Sequence, residues 1–462
     1  MGEEREVAFD LEDADPCQWY AFGDLLESRG KSEEAIAAYR LGGAKAEAIG
    51  NDWDLAISHD KIGAVLLADG DLPAAIRSFE SSLAITELLA ENNPHDWGLQ
   101  RDLEICHETL GRTLAEAGNF LAARAAYEAS LAIAQMLVSA DPTNMERQRD
   151  LLICYNNLGD FFLTEGNLLD FRAAHEAGFT IAKRLTSVDP QNSRWQRDIT
   201  ICYFRLGDVF ILEGDLRAGR AAYEASLTIR QALAVDDPGN EDRQIDLLTN
   251  HDKLRKLCIA ENDLAGALRA DEAALAIEQQ LATANPDSEY WQLEASVRLD
   301  RIGEQLLADS NHPAARTSFQ ASLAIVEELL ASDPEHHFWQ YLAALSHANL
   351  GDVLLAEGRF PEALATYETG VSISERLVSV NPTNTDWQGG LSTCRHRMGN
   401  VLQAQGDWAA ARVAYEASLA IDNALIVYEP GNENWQRDVR INQKKLAELK
   451  PSRFYTILSN SP

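Results

Sequence analysis

The sequence predicts an all-α fold, a solenoid of about nine helix hairpins closed by a C-terminal capping helix. Three observations predict it. Glycines recur at Gly63, Gly111, Gly159, Gly207, Gly303, Gly351 and Gly399, separated by multiples of 48 residues, and only Arg255 breaks the series. Prolines keep the same period at Pro94, Pro142, Pro190, Pro238, Pro286, Pro334, Pro382 and Pro430. Between these markers, the stretch 195–237 reads as two amphipathic helices joined by a tight turn at Glu213, Gly214 and Asp215, and relatives of it fill the chain.

Residues 1–15 form an acidic N-terminal tail. Residues 16–50 form a short hairpin in which Trp19, Gly23, Gly30, Ala35 and Tyr39 keep the spacing of the later units. Gly23 and Gly63 are only 40 residues apart with no proline loop between them, as expected of a terminal cap. Residues 51–430 hold eight long units. Each first helix, of about 20 residues, ends near a glycine such as Gly70, Gly118, Gly166, Gly214, Gly358 or Gly406, which supplies a left-handed cap. The next residue is Asp71, Asn119, Asn167, Asp215, Asp263, Asn311 or Asp407, a side chain suited to accept the free N–H groups of the second helix. Pro73, Pro313 and Pro361 lie just inside that helix, where a missing N–H costs nothing. The second helix ends at Asp-Pro or Asn-Pro, which resets the chain. Residues 431–450 form one more helix carrying Arg437, Arg440, Lys444, Lys445 and Lys450, a polar cover for the open end, and 451–462 form a tail without pattern.

The net charge is −33, from 73 acidic and 40 basic residues. That field repels nucleic acid and anionic membrane and suits a basic partner or simple solubility. No run approaches the ~18 apolar residues of a membrane span. The N-terminal MGEEREVAFD has neither the apolar core of a secretory signal nor the Ser or Thr of a myristoylation motif. Four of the six cysteines, Cys106, Cys154, Cys202 and Cys394, share one repeat position, five before the glycine. Equivalent helices in a stack lie at least ~8–10 Å apart, beyond the ~7 Å reach of a disulfide between Cα atoms. The cysteines are therefore expected to be small packing residues in a reducing cytoplasm, with metal or redox use as the other reading.

The repeated residues resemble the tetratricopeptide repeat family, whose hairpin carries a large residue, Leu-Gly, an aromatic, Ala, another aromatic, Ala and Pro. Tyr203, Leu206, Gly207, Phe210 and Tyr223 match that pattern, as do Leu110, Gly111, Ala123 and Tyr127, and Leu350, Gly351, Ala363 and Tyr367. The resemblance spans about residues 16–450 and implies a right-handed superhelix whose concave face is lined by the first helices. The family period is about 34 residues, so each unit here has about 14 more, split between the end of the second helix and the start of the first. Two added turns, roughly 10 Å, keep the same face inward. This long-helix variant is similar to the repeats of kinesin light chains and of arrays attached to bacterial signalling and caspase-like proteins.

The extension has its own signature. Six residues after each proline stands a glutamine: Gln100, Gln148, Gln196, Gln244, Gln292, Gln340, Gln388 and Gln436. Trp195, Trp291, Trp339, Trp387 and Trp435 precede five of them. The helical angle places the glutamine near the buried side, where it is expected to satisfy backbone groups left open by the loop, although a functional ladder is the other reading.

No Walker loop, HExxH, CxxC pair or nucleophile elbow is present. His336 and His337 are adjacent and diverge on a helix, and His175 replaces a core aromatic. No isolated acid–base pair stands out, so no catalytic residue, metal or cofactor is assigned. Projecting the family's inner face onto the first helices picks out Asp60, Glu108, Asp252 and Asp300, three residues before the glycine position. One residue after it come Asp24, Asp160, Asp208, Glu304 and Asp352, and ten before it Arg101, Arg149 and Arg197. The concave face is thus expected to be acidic with an arginine row in its N-terminal half, the other reading being a solvated surface whose charges pair along the helix. The Lys/Asn clamp with which some family members hold acidic chaperone tails is missing.

One unit stands apart, with Arg255 and Asn262 for glycines and Asp271 for the core aromatic. A charge at a packing position is costly unless paired or exposed, so a weak joint or contact point is expected near 250–275, with ordinary repeat decay as the alternative. The resemblance and the charge together imply a non-enzymatic scaffold or adaptor that binds a basic protein or peptide in the concave groove. The alternative is a regulatory or sensor subunit of a separately encoded enzyme, such as a bacterial protease or signalling effector.

Overall fold

The computed structural model describes residues 14–286 and 288–449. Among the described residues the chain forms nineteen helices. They are α1 (Pro16–Glu27), α2 (Ser32–Ile49), α3 (Asp52–Ala68), α4 (Leu72–Asn92), α5 (Trp97–Glu116), α6 (Phe120–Ala140), α7 (Met145–Thr164), α8 (Leu168–Val188), α9 (Ser193–Leu212) and α10 (Leu216–Asp236). After them come α11 (Glu241–Ala260), α12 (Leu264–Ala284), α13 (Glu289–Ala308), α14 (His312–Ser332), α15 (His337–Ala356), α16 (Phe360–Val380), α17 (Thr385–Ala404), α18 (Trp408–Tyr428) and α19 (Glu433–Glu448). The order is nine hairpins and one final helix, the repeat-helical solenoid that the period predicts. The chain divides into two compact units, Met1–Val235 and Asp236–Pro462.

Within each unit a first helix packs on its own second helix, and that second helix packs on the first helix of the next hairpin. The first helices of successive hairpins also touch directly, α1 on α3 and α5 on α7 in the first unit, α13 on α15 and α15 on α17 in the second.

The turn inside each hairpin is fixed by local chemistry. Gly70, Gly118, Gly166, Gly214, Gly358 and Gly406 all have φ between 74° and 84°. Where the glycine is missing, Asn262 (φ 59°) and Ser310 (φ 61°) take the same left-handed conformation. The cap residues Asp71, Asn119, Asn167, Asp263 and Asp407 each accept a backbone N–H of the following helix, as does Asp215 from Ala218. Asn311 makes no such side-chain bond.

The periodic glycine in the first helix is a seat for the ring sixteen residues later. A Cβ on Gly207 would lie 2.5 Å from the Tyr223 ring, and one on Gly351 2.6 Å from Tyr367. That approach lets the two helices close over a flat side chain. His175 occupies the same seat on Gly159, fully buried, edge-on to Phe171 and 3.3 Å from Asp160. At the exceptional unit the seat becomes ionic, because Arg255 Nε donates to Asp271 Oδ2 at 2.8 Å.

Seven of the eight loop glutamines donate their side-chain amide to the carbonyl of the proline six residues earlier, for example Gln436 to Pro430 at 2.8 Å and Gln340 to Pro334 at 2.6 Å. Gln100 instead donates to the Ala90 carbonyl, 3.3 Å away. The glutamine therefore closes the long loop, the structural role expected of it. Five cysteines are free and buried, whereas Cys17, near the start of α1, is exposed and is not a packing residue. His336 caps α15 through Nδ1 and stacks on Trp339, with ring centroids 4.0 Å apart.

Candidate functional site: the first-helix face

The structure separates the projected groove residues into two groups. The first group is tied up between hairpins. Arg101 on α5 makes a two-pronged pair with Asp150 on α7, at 2.7 and 3.2 Å. Arg149 on α7 does the same with Asp198 on α9, at 2.6 and 3.1 Å. Trp53 Nε1 takes the place of an arginine one hairpin earlier and donates to Asp102 at 3.2 Å. Arg101 and Arg149 thus pair across successive repeats. Arg197 is exposed on α9.

Four acids one residue after the glycine, and Asp252 three residues before Arg255, are also engaged. Asp24 accepts from the Tyr39 hydroxyl at 2.7 Å and from Lys61 of the next hairpin at 2.6 Å. Burial pushes the Asp24 carboxyl up, but these donors outweigh it and hold it below the usual range. Asp160 pairs with Arg205 at 2.6 Å. Asp208 accepts from Tyr223 at 2.6 Å. Asp352 accepts from the Tyr367 hydroxyl and pairs with Arg397 at 3.0 Å. Asp252 pairs with Arg298 at 3.0 Å. Lys61, Arg205 and Arg397, each two residues before a glycine of the series, thus hold Asp24, Asp160 and Asp352, and Tyr39, Tyr223 and Tyr367 of the second helices donate to Asp24, Asp208 and Asp352. Each carboxylate so clamped is first a structural group.

The second group is Asp60, Glu108, Asp300 and Glu304. Burial raises Asp60 to about 6, with nearby Asp102 adding to the effect and the Ser82 hydroxyl opposing it. Burial likewise raises Asp300 to about 6. Its Oδ2 accepts from Ser346 at 3.3 Å, while its buried Oδ1 has no hydrogen-bond partner. Glu108 is held above the usual carboxylate range by burial, partly offset by Arg112 one turn on. Glu304 is exposed on α13.

Two clefts open on this face in the first unit. One, of about 470 Å³, lies between α3 and α5 with Asp60, Leu67, Phe79 and Ile105 in its walls. The other, of about 260 Å³, lies between α5 and α7 and is lined by Glu108, Tyr127, Asn157 and Asp160. Arg112 borders both. The arginine–aspartate staples were missed by reasoning from one repeat at a time. Their signal was present as the dipeptides Arg101-Asp102, Arg149-Asp150 and Arg197-Asp198, one period apart, because the arginine of one dipeptide reaches the aspartate of the next.

Among the described residues no group of three or more His, Cys, Asp or Glu side chains is placed to hold a metal ion. No helix among them is long and apolar enough to cross a membrane.

Residues 391–421, covering most of α17 and most of α18, match the family model described as Tetratricopeptide repeat. No curated protein matches the chain in sequence. Similar solved structures include BtubC (BKLC) from P. vanneervenii, with 18% identity over 57% of this chain and 94% of that one and a TM-score of 0.39. The putative kinesin light chain repeats of Podosopora anserina show 17% identity over 47% and 92%, with a TM-score of 0.34. The apo form of RapI shows 12% identity over 78% and 85%, with a TM-score of 0.46. The hairpin that matches this tetratricopeptide repeat model is one of eight long units that keep the same period and helix order. Such repeats are, in general, modules that bind proteins or peptides.

Proposed function

We propose that the chain is a non-enzymatic scaffold or adaptor that holds a basic polypeptide on its first-helix faces in the cytoplasm. The observation that carries this reading is the division of the charges. The arginines Arg101 and Arg149 are consumed by Asp150 and Asp198. By contrast, among the described residues, Asp60 and Glu108 on the first helices of one unit and Asp300 and Glu304 on those of the other make no salt bridge to a neighbouring hairpin. What the face offers a partner is therefore acidic, in keeping with the net charge of −33. The same field disfavours nucleic acid and anionic lipid.

The pairing also decides how to test the reading. Reversing Asp160, Asp208 or Asp352 would break an internal clamp and damage the fold whatever the partner. Hydrogen exchange of the full chain, alone and with a co-purified partner, avoids that problem. Added protection along the exposed sides of α3, α5, α7, α13 and α15 is the expected outcome. Protection confined to α4, α6, α14 and α16 would refute the assignment.

A further inference from the structure

We infer that two copies of the chain pair through the α5–α6 and α7–α8 turns, with a two-fold axis between those turns. The second position of the second helices sets the first unit apart. In the second unit it holds only alanine or proline, at Ala265, Pro313, Pro361 and Ala409. In the first unit α6 and α8 carry Leu121 and Leu169 there, 84% and 82% exposed. A fold that accepts alanine or proline at this position has no need of leucine. Phe120, Leu163, Leu168 and Leu212, next to the same turns and the following one, are also exposed. An apolar strip of this kind marks an interaction surface. Its turns are fixed relative to one another. Arg124 of α6 pairs with Glu165 at the next turn, Arg172 of α8 pairs with Glu213 at the one after at 2.9 Å, and one apolar cluster from Ala75 to Val209 runs through these hairpins.

Two equivalent leucines one repeat apart make a surface complementary to itself. A two-fold axis between them brings Leu121 of each copy onto Leu169 of the other, so one contact made twice covers both. The same axis brings the α3–α4 turn of one copy to the α9–α10 turn of the other, and these outer turns differ in the charge they leave over. At α9–α10, Glu213 is held by Arg172 and Asp215 caps Ala218, while Arg217 is exposed and has no ion pair among the described residues. At α3–α4, Asp71 caps Ala74, and the Asp69 carboxylate receives the Ser32 hydroxyl but no cation among the described residues. Along the edge the order is therefore acid, leucine, leucine, base. Reversing a second copy sets acid on base and leucine on leucine, whereas a generic apolar partner has no call for that order. In the two central turns Glu165 is paired and Asp170 accepts from Asn167 Nδ2 at 2.6 Å, and the pairing leaves the exposed Glu116 at its rim. With a net charge of −33 on each copy, matched charges of this kind are what let two copies approach.

The test is sedimentation equilibrium of the full chain at physiological salt over a wide range of concentration. A reversible dimer of twice 51.0 kDa is expected. Leu121→Ala and Leu169→Ala install the residue that α12 and α18 carry at this position, so folding is kept. Each should weaken the dimer about a hundredfold, because one change is felt at two symmetry-related contacts. Val427→Ala, which trims a side chain 81% exposed on α18, should leave the dimer unchanged. Arg217→Glu and Asp69→Lys should each weaken it at least about tenfold. The two together in one chain should restore it, since the ion pair is remade in reverse. A mass of 51.0 kDa at every concentration would overturn the pairing and leave the strip to a different chain. So would a dimer untouched by the leucine changes, equal weakening by Val427→Ala, or a double charge variant as weak as the single ones. The first-helix face is tested separately by hydrogen exchange, and neither result decides the other.

Discussion

Hairpins α15–α16 and α11–α12 fill the same slot by opposite means. In α15–α16 the bare backbone of Gly351 receives the fully buried ring of Tyr367. In α11–α12 both residues are charged, and Asp271 accepts from Arg255 at 2.8 Å, Arg298 at 3.0 Å and Arg301 at 2.7 Å. The network runs on from Arg298 to Glu278 at 2.6 Å and to Asp252 at 3.0 Å. Burial alone would weaken the Arg298 charge, but these carboxylates outweigh it and keep the guanidinium charged. The seat of a repeat is thus a volume to be filled, and either an aromatic ring or a compensated ion cluster fills it. The two solutions differ in fragility. An apolar seat loses contacts in proportion to what is removed, whereas an ionic one fails as a whole, because a stranded buried charge keeps its desolvation cost.

The largest expected effect exploits that difference. Asp271→Ala leaves Arg255, Arg298 and Arg301 without their shared acceptor and should cost roughly 3–5 kcal/mol. Hydrogen exchange should accelerate in α11–α13 and stay unchanged in α17–α18. If the variant melts like the native chain, the ion cluster contributes nothing to the seat.

Gly351→Val attacks the apolar version. The added carbon would meet the Tyr367 ring at 2.6 Å, and overpacking of this kind costs about 3 kcal/mol. Denaturant titration should show a loss localised to α15–α16. An unaltered midpoint would mean that the ring moves aside and the seat is not tight.

A buried carboxylate that accepts from a thiol gives a third comparison. Glu104 on α5 is 3% exposed, and burial raises it to about 7 from an ordinary 4.5. Cys154 donates its thiol hydrogen to it at 3.0 Å. The folded form holds the proton more tightly than the unfolded chain, so the stabilising contribution is complete below pH 4.5 and disappears as pH rises through about 7. Glu104→Gln should flatten that dependence and stabilise the first unit at pH 8 by on the order of 2 kcal/mol. A pH–stability curve unchanged by the substitution would place the proton elsewhere.

The smallest effect is at the loops. Gln340→Ala frees the Pro334 carbonyl and should lower stability by about 1 kcal/mol, seen as faster exchange at the start of α15.

Much of the fold was legible because one pattern is written eight times. The glycine and proline periods placed the hairpins, and the turn residues placed the caps, including Asn262 in the left-handed position of a glycine. The glutamine was readable as a loop lock, although its partner, the carbonyl of its own loop's proline, needed the structure. The candidate site was less legible. A helical projection shows which residues share a face but not which of them meet across hairpins. It therefore scored Arg101 and Asp60 alike, when one is bound to Asp150 and the other opens on a cleft. At the unit of Arg255 the sequence shows a charge in a packing position but not the three arginines that converge on Asp271.

The most direct measurement of the binding face is position-resolved photo-cross-linking in the cell that makes the protein. A benzophenone side chain would be placed in turn at Ala64 and Thr109, on α3 and α5, and at Glu80 and Glu128, exposed on α4 and α6. The account predicts that a polypeptide is captured from Ala64 and Thr109 and not from the other two. Capture from Glu80 and Glu128 alone would contradict it.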